Sequence, residues 1–264
     1  MSQYEGIQVR SEGHVTLIEL ARPPYNFFDR QLIGEIADAF DVADNDDNCR
    51  ALVLAAQGKA FCAGADFGGS DSDGDDGFSE EGFNSGVAEL YREAARLFGN
   101  RKPIVGAIQG AAVGGGLGLA LVPDFRVISP AARFSANFVK LGIHQGFGLS
   151  VTLPRLVGEQ NASMMLLTGR RVGAEEALAL GLADVLCDAD DLLDRAMSLA
   201  AEIATNAPLA VESVRATLRG DLAEQVIEAT AHELSEQQWL RATDDAAEGI
   251  LSVGERRAGN FQRR

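Results

Sequence analysis

Two short stretches of this chain are apolar at every position, and they constrain its fold more than any other feature. The first spans Ala51 to Ala56, and the second spans Ile104 to Ile108. Each has the length of a strand, and a strand without a polar face is typical of a sheet that is buried on both sides. The two stretches therefore predict a central sheet whose faces are both covered.

The rest of the chain supplies elements to cover such a sheet. Further strands are predicted at 14–20 and 125–128, and apolar spacing of three and four predicts a helix over 30–43 with Asp29 as its N-cap. Beyond Gly148 the pattern is almost entirely helical. The predicted helices lie near 149–157, 160–167, 174–180, 190–205, 208–219, 222–241 and 244–252. The fold class predicted from these elements is α/β.

Charge and composition exclude several kinds of protein. The chain carries 23 basic and 39 acidic residues, a formal net charge of −16, which disfavours nucleic acid and anionic membranes as partners. No apolar run approaches the roughly 20 residues of a membrane span, and the first ten residues do not resemble a secretory signal, so we expect a cytosolic protein. Its three cysteines and three histidines are scattered, which predicts reduced thiols and no metal site.

An acidic segment at 67–84 has neither helical period nor core-forming content. Between Ala60 and Tyr91 there are eight acidic residues and no lysine or arginine. We interpret the segment as a mobile, solvated loop. A calcium loop is the weaker alternative, because no closing glutamate stands at the required spacing. A third possibility, which depends on the family resemblance of the neighbouring motifs, is that the loop brings Glu80 or Glu81 over a substrate.

A glycine cluster follows the second apolar strand, from Gly110 to Gly118, and opens a predicted helix. Backbone N–H groups at such a helix start favour negative charge. The spacing matches neither the dinucleotide-binding fingerprint nor the phosphate-binding P-loop. From the glycines alone, close packing of helix on strand is an equally good explanation.

A second glycine motif follows the first apolar strand, about 50 residues earlier, and the pair carries a resemblance. The two motifs are GKAFCAGADF at 58–67 and GAAVGGGLGLALVPD at 110–124. Together they resemble the enoyl-CoA hydratase/isomerase, or crotonase, superfamily. The resemblance extends through Arg133-Phe134-Ser135, the segments 153–158 and 167–170, and 174–184.

The resemblance implies a spiral of ββα turns with a helical C-terminal region. The core would be residues 1–200, with a cleft for a coenzyme A thioester, and residues 201–264 would form contacts in a homotrimer or a hexamer built as a dimer of trimers. Coenzyme A would enter as part of the acyl-CoA substrate, and no further cofactor is expected.

The resemblance also assigns site residues by motif position. The backbone N–H groups of Ala65 and Gly115 would form an oxyanion hole for the thioester carbonyl. Ala63 would contact the adenine through its backbone, and Asn26 lies in a turn similar to the segment lining the other side of the cleft. Lys59 could bind a phosphate of coenzyme A, although a solvated loop lysine fits equally well.

The two glutamates that hold water in hydratases of this family are replaced. Gly118 and Phe138 stand at their positions, and neither side chain can transfer a proton. His144 is a candidate acid or base, against the alternative that it packs beneath the glycine loop at 146–148. Phenylalanines could line an apolar pocket or belong to the core: Phe27, Phe28, Phe67, Phe138 and Phe147.

Three functions follow. The first is a lyase or isomerase of the hydratase type acting on acyl-CoA in fatty acid metabolism. The second is a divergent decarboxylase, hydrolase or enzyme that cleaves carbon–carbon bonds. The third is an acyl-CoA-binding protein without catalysis.

Overall fold

The computed structural model describes residues 4–65 and 80–264. Ten strands are assigned within these residues: β1 Ile7–Glu12, β2 Val15–Leu20, β3 Ala51–Ala56, β4 Ala60–Cys62, β5 Ile104–Ile108, β6 Ala111–Val113, β7 Phe125–Ile128, β8 Arg133–Ser135, β9 Arg171–Gly173 and β10 Val185–Leu186. Nine α-helices accompany them: α1 Arg30–Asp44, α2 Glu80–Arg96, α3 Gly115–Ala120, α4 Leu149–Thr168, α5 Ala174–Ala179, α6 Leu192–Ala204, α7 Pro208–Arg219, α8 Leu222–Arg241 and α9 Asp244–Gly254.

The strands form two sheets that are built by one repeating unit. The large sheet has the order β1-β2-β3-β5-β7-β10, and the small sheet has the order β4-β6-β8-β9. The pairs β3 and β4, β5 and β6, and β7 and β8 each send their first strand to the large sheet and their second to the small sheet. Each pair then leads into a helix, so the α/β fold with ββα turns that the sequence predicts is confirmed.

The central strand of the large sheet is buried on both faces, as its uninterrupted apolar sequence predicts. Leu52 and Leu54 point into the main core, which includes α1 and the small sheet. Ala51, Val53 and Ala55 point the other way, into a second cluster covered by the alanine-rich face of α6. Because side chains alternate along a strand, an apolar residue is needed at every position of β3.

Local signals place most helix boundaries correctly. Asp29 caps α1 by accepting the backbone N–H of Leu32 at 2.8 Å, and Pro208 begins α7. The separate helices predicted at 149–157 and 160–167 form a single element, α4, interrupted at Gly158, where φ is 76°. The sequence therefore identifies the interruption, and the structure adds that the helix resumes after it.

The acidic segment is the main place where the prediction and the structure differ. Helix α2 begins at Glu80, so residues 80–84 are helical and were wrongly included in the predicted loop. Helical periodicity is visible only downstream, where Tyr91, Ala94 and Ala95 are buried. Residues 67–79, including the calcium alternative, and the side chains of Glu80 and Glu81 lie outside the described residues. The three-residue strands of the small sheet were also missed, because they are too short to show a period.

Candidate active site

Two glycine-containing loops meet where adjacent parallel strands end. Strand β4 pairs with β6, so the segments 63–65 and 114–116 emerge side by side. A Cβ atom on Gly64 would lie 2.9 Å from the carbonyl oxygen of Val113, and one on Gly116 would lie 2.1 Å from that of Cys62. Gly64 also has a φ of 100°. Glycine is needed at both positions because only glycine permits this approach of two backbones.

Ala65 and Gly115 both line a common space at this junction. Gly115 is the first residue of α3, so its N–H has no partner within that helix. Ala65 is paired with Phe28 through a bridge in which the N–H of Phe28 donates to the oxygen of Gly64 at 3.0 Å. In the described part of the chain, no hydrogen bond uses the N–H of Ala65 or that of Gly115.

The space is a cavity of about 400 Å³ with largely apolar walls. Ala63, Ala65 and Gly115 line it at the strand ends, and Asn137 and Phe138 line it after β8. Four of the five phenylalanines named from the sequence belong to its lining, namely Phe27, Phe28, Phe138 and Phe147. Phe67 lies outside the described residues. These four side chains line an apolar cavity, and Phe28, Phe138 and Phe147 are at the same time buried in the main core, so both interpretations apply to those three.

Phe147 occupies the space in front of Gly118. A Cβ atom on Gly118 would lie 2.6 Å from Cδ1 of Phe147, closer than real Cβ atoms approach a neighbour. Phe147 is 1% exposed, has a φ of 63°, and packs edge-on against Phe28 with ring centroids 5.6 Å apart. Any side chain at position 118 must therefore displace an aromatic ring. Gly118 itself is buried and is not among the residues that line the cavity.

Helices α2 and α8 add a polar network that the sequence analysis missed. The hydroxyl of Tyr91 donates to Oε1 of Gln237 at 2.9 Å, and Nε2 of Gln237 donates to the carbonyl oxygen of His144 at 2.9 Å. Burial raises the pKa of Tyr91, and the charge of Glu233 raises it further. Tyr91 therefore remains a neutral hydrogen-bond donor that, with Gln237, holds the segment before Phe147.

Glu233 holds the other side of the same segment. Its carboxylate is completely buried and accepts the N–H groups of Gly148 at 2.8 Å and Ser150 at 2.9 Å, at the start of α4. Burial raises the pKa of Glu233, whereas those hydrogen bonds and the charge of His144 act in the opposite direction. The spacing of Glu233, Gln237 and Arg241 by four residues is the signal that could have revealed a buried polar face on α8.

Besides Gly118, three of the residues predicted from the sequence lie away from the cavity lining. Asn26 is fully buried, and its Nδ2 donates to the oxygens of Gln57 at 2.6 Å and Ala60 at 2.8 Å. Lys59 is exposed in the turn between β3 and β4. His144 directs Nδ1 to the oxygen of Gln145 at 2.8 Å and supports the loop from outside the lining.

The described residues give little support for disulfide, thiolate or metal chemistry, or for a membrane-spanning helix. The three cysteines are unpaired, and burial raises the pKa of Cys62 to about 12. No group of three or more metal-ligating side chains occurs within residues 4–65 and 80–264. Within the same residues, no helix has both the length and the apolar content needed to cross a bilayer.

Comparisons with known proteins agree with this architecture. The family model described as enoyl-CoA hydratase/isomerase matches residues 10–264. A Mycobacterium tuberculosis protein named probable enoyl-CoA hydratase EchA14 is 35% identical over 238 residues, which cover 90% of each chain. The crystal structure of an enoyl-CoA hydratase/isomerase from Pseudoalteromonas atlantica T6c has a TM-score of 0.84 and 28% identity, covering 98% of this chain and 100% of that one. The chain therefore belongs to the enoyl-CoA hydratase/isomerase family, as its two glycine motifs predict.

Proposed function

We propose that the protein is an acyl-CoA-processing enzyme that stabilises a thioester enolate between the N–H groups of Ala65 and Gly115. Membership of the enoyl-CoA hydratase/isomerase family supports the substrate class. The geometry supports the mechanism, since both residues line one apolar cavity and no described hydrogen bond uses their N–H groups. Charge that develops on the thioester oxygen would be stabilised strongly there, because the surroundings have a low dielectric constant.

The remainder of the substrate would lie across the strand ends. The N–H of Ala63 donates to the carbonyl oxygen of Tyr25 at 3.0 Å. The carbonyl oxygen of Ala63 would then be the group that accepts a hydrogen bond from the adenine. Lys59 is exposed and remains our candidate for a phosphate of coenzyme A. We expect no cofactor besides coenzyme A as part of the substrate. We also retain the cytosolic location as a proposal.

Exposed apolar side chains on the C-terminal helices support the proposed homotrimer or hexamer. Leu209 is 80% exposed, Leu218 is 71% exposed and Trp239 is 58% exposed. Large apolar side chains that are exposed in a single chain can be covered by a neighbouring chain in an oligomer. Residues 201–264 therefore remain our proposed oligomer region, although α8 and α9 also contribute Gln237 and Val253 to the cavity wall of their own chain.

The reaction that places negative charge in the oxyanion hole need not be hydration. The observation that carries this conclusion is the ring of Phe147 in the space a side chain at position 118 would require. With Phe138 at the other position, neither place offers a carboxylate to hold and deprotonate water. This arrangement favours the second candidate, a decarboxylase, hydrolase or carbon–carbon lyase that uses the same oxyanion hole. His144 remains a tentative acid or base, and would have to act from outside the lining.

The substitution Ala65→Pro tests the oxyanion hole, because proline lacks the backbone N–H. Loss of one such donor typically costs about 3 kcal/mol, so we expect turnover of the best substrate to fall about 100-fold. Affinity for free coenzyme A, which has no thioester carbonyl, should be unchanged in the same variant. Equal turnover by the variant and the wild type would contradict the proposal.

Further measurements on the wild-type protein keep the test decisive if the variant does not fold. The carbonyl stretching frequency of a bound acyl-CoA should fall relative to the free thioester, since two N–H donors polarise the bond. Failure of every tested thioester to bind in calorimetry would refute the proposed function. Hydration of crotonyl-CoA at rates typical of the family would refute the conclusion that Gly118 and Phe138 leave no carboxylate to activate water. Binding of thioesters without turnover in hydratase, decarboxylase and thioesterase assays would favour a binding protein.

A further inference from the structure

Four side chains in the described lining of the cavity carry polar groups, and three of them are already engaged within the chain. Tyr91 donates to Gln237 at 2.9 Å, and Arg241 also has an interaction inside the protein. Asn137 is partly buried, and no hydrogen bond among the described residues uses its carboxamide. Its two N–H donors and its oxygen are therefore free to interact with a molecule that enters the cavity.

The carboxamide of Asn137 lies beside Gly114, the residue that precedes Gly115. Oδ1 of Asn137 is 3.3 Å from the position that a Cβ atom on Gly114 would occupy, and Cζ of Phe138 is 3.7 Å from it. The N–H of Gly114 also donates to the oxygen of Ser135 at 2.8 Å, which joins this loop to the end of β8. The carboxamide therefore lies at the same strand ends as the N–H groups of the proposed oxyanion hole.

Aromatic rings lie around the strand ends that hold this polar group. A Cβ atom on Gly115 would lie 2.8 Å from Cε1 of Phe28 and 3.4 Å from Cδ2 of Phe147. An acyl group that fills the space between these rings removes water from Asn137, and a buried amide without a hydrogen-bond partner is unfavourable. An acyl group with an oxygen acceptor at this point would supply the partner, whereas a hydrocarbon chain would not.

The place of the acceptor on the acyl group follows from the position of the thioester. If Ala65 and Gly115 bind the carbonyl oxygen on C1, the carboxamide of Asn137 is next to the acyl carbons that follow. Since C2 carries the charge of the proposed enolate, the acceptor is expected on C3. In a thioester with a second carbonyl group at C3, the two oxygens can lie side by side, and three donor groups would then serve two oxygens.

We propose that Asn137 donates a hydrogen bond to a carbonyl or carboxylate oxygen on C3 of the acyl group, so that the substrates are coenzyme A thioesters of 3-oxo acids or malonic acids. This inference rests on the proposed function, because it takes the thioester to be held at Ala65 and Gly115. It adds the class of acyl group, which family membership leaves open. Both kinds of thioester contain the C2–C3 bond that the decarboxylase or carbon–carbon lyase of the second candidate would break, whereas crotonyl-CoA has no oxygen on C3.

Calorimetric titration with matched pairs of thioesters tests the inference. Acetoacetyl-CoA would be compared with butyryl-CoA, and malonyl-CoA with propionyl-CoA, because the members of each pair have the same number of acyl carbons. We expect at least one thioester with an oxygen on C3 to bind the wild-type protein about 10-fold more tightly than its partner, as is usual for one additional hydrogen bond. A preference in the first pair alone identifies a ketone, and a preference in the second pair alone identifies a carboxylate. For a thioester that is turned over, kcat/KM replaces the affinity.

Two substitutions at position 137 test whether this residue causes the preference. Asn137→Leu keeps a similar volume without a hydrogen-bonding group, and Asn137→Asp keeps the shape but replaces the NH₂ donor with an oxygen. Both variants should lose most of the preference, and Asn137→Leu should bind butyryl- and propionyl-CoA at least as tightly as the wild type. Asn206→Leu is a matched control that should retain the preference, because Asn206 is exposed and does not line the cavity.

A vibrational measurement separates hydrogen bonding from a purely structural role of Asn137. If acetoacetyl-CoA is the preferred ligand, the stretching frequency of its isotopically labelled C3 carbonyl should fall when it binds to the wild type. The fall should be smaller in Asn137→Leu. An equal fall in both proteins would overturn the assignment to Asn137.

The remaining outcomes distinguish this inference from the proposed function. Equal or weaker binding of both oxygen-bearing thioesters by the wild-type protein would overturn the inference and leave the proposed function intact, as would a preference that persists in both variants. An equal loss of affinity for all ligands in those variants, free coenzyme A included, would assign Asn137 to the coenzyme and overturn the inference as well. If no thioester binds at all, the proposed function itself fails.

Discussion

Steric conflict between positions 118 and 147 can be measured as a coupling free energy. Gly118 lies inside α3, where alanine is favoured over glycine by about 1 kcal/mol. In this structure, however, the new Cβ atom would lie 2.6 Å from Cδ1 of Phe147. Overpacking of a tight core typically costs about 1–3 kcal/mol, so Gly118→Ala should lower the free energy of unfolding by up to about 2 kcal/mol.

Removing the ring should reverse the sign of this effect. Phe147→Gly by itself should lower the free energy of unfolding by about 3–5 kcal/mol, because a buried aromatic ring is lost. About 1–2 kcal/mol of this is recovered, because glycine adopts the φ of 63° without strain. In that background Gly118→Ala meets no ring, and we expect it to stabilise the protein by up to about 1 kcal/mol. The double-mutant coupling is therefore about 1–3 kcal/mol, the full overpacking cost.

Urea denaturation of the wild type, the two single variants and the double variant measures this coupling at a fixed protein concentration. Gly86→Ala is a matched control, because Gly86 lies in α2 and a Cβ atom there has no neighbour within 4 Å. It should stabilise both the wild type and Phe147→Gly by about 1 kcal/mol. If Gly118→Ala has the same effect in both backgrounds, Phe147 does not fill the space of the missing glutamate.

Two further predictions concern groups around the site. Burial raises the pKa of Glu233 in the folded protein, so as the pH rises above about 4.5 this residue ionises in the unfolded chain before it ionises in the folded one. The contribution of Glu233 to stability therefore falls, and it is lost as the pH passes through the folded-state pKa. Between pH 4 and pH 7 the wild type should therefore lose more unfolding free energy than Glu233→Gln, and identical pH profiles in urea denaturation would contradict this. Asn26→Ala removes the donor to the oxygen of Gln57 and the acceptor of the Arg22 N–H, whereas the oxygen of Ala60 keeps Nε2 of Gln109 as a donor at 3.0 Å. With two groups losing their partner, the substitution should cost at least about 2 kcal/mol in the same assay. Its folded fraction should bind acyl-CoA normally in calorimetry, whereas weaker binding at unchanged stability would make Asn26 a substrate contact.

Much of the fold is visible in the sequence because its causes are local. Asp29 can cap α1 because its side chain reaches an N–H three residues ahead, and Gly158 interrupts α4 through its own backbone conformation. The apolar strand at 51–56 is recognisable because both of its faces need apolar side chains. The strands at 60–62 and 111–113 escaped prediction, since three residues carry no measurable period.

The glycine motifs also indicated where the proposed site lies, because the occurrence of both motifs in one chain is specific. Gly64 has a backbone conformation that other residues rarely adopt, and it immediately precedes Ala65. The resemblance of these motifs to the enoyl-CoA hydratase/isomerase family then identified the two N–H groups now proposed to bind the thioester. It also showed that positions 118 and 138 lack carboxylates.

Only the tertiary structure decided what surrounds those positions. Phe147 fills the space before Gly118 from 29 residues away, and Tyr91 meets Gln237 across 146 residues. Arg241 reaches the cavity from a helix that sequence reasoning had assigned to oligomer contacts alone. Such contacts leave no local pattern, because they depend on how distant segments pack, and packing is determined by the shape of the whole core.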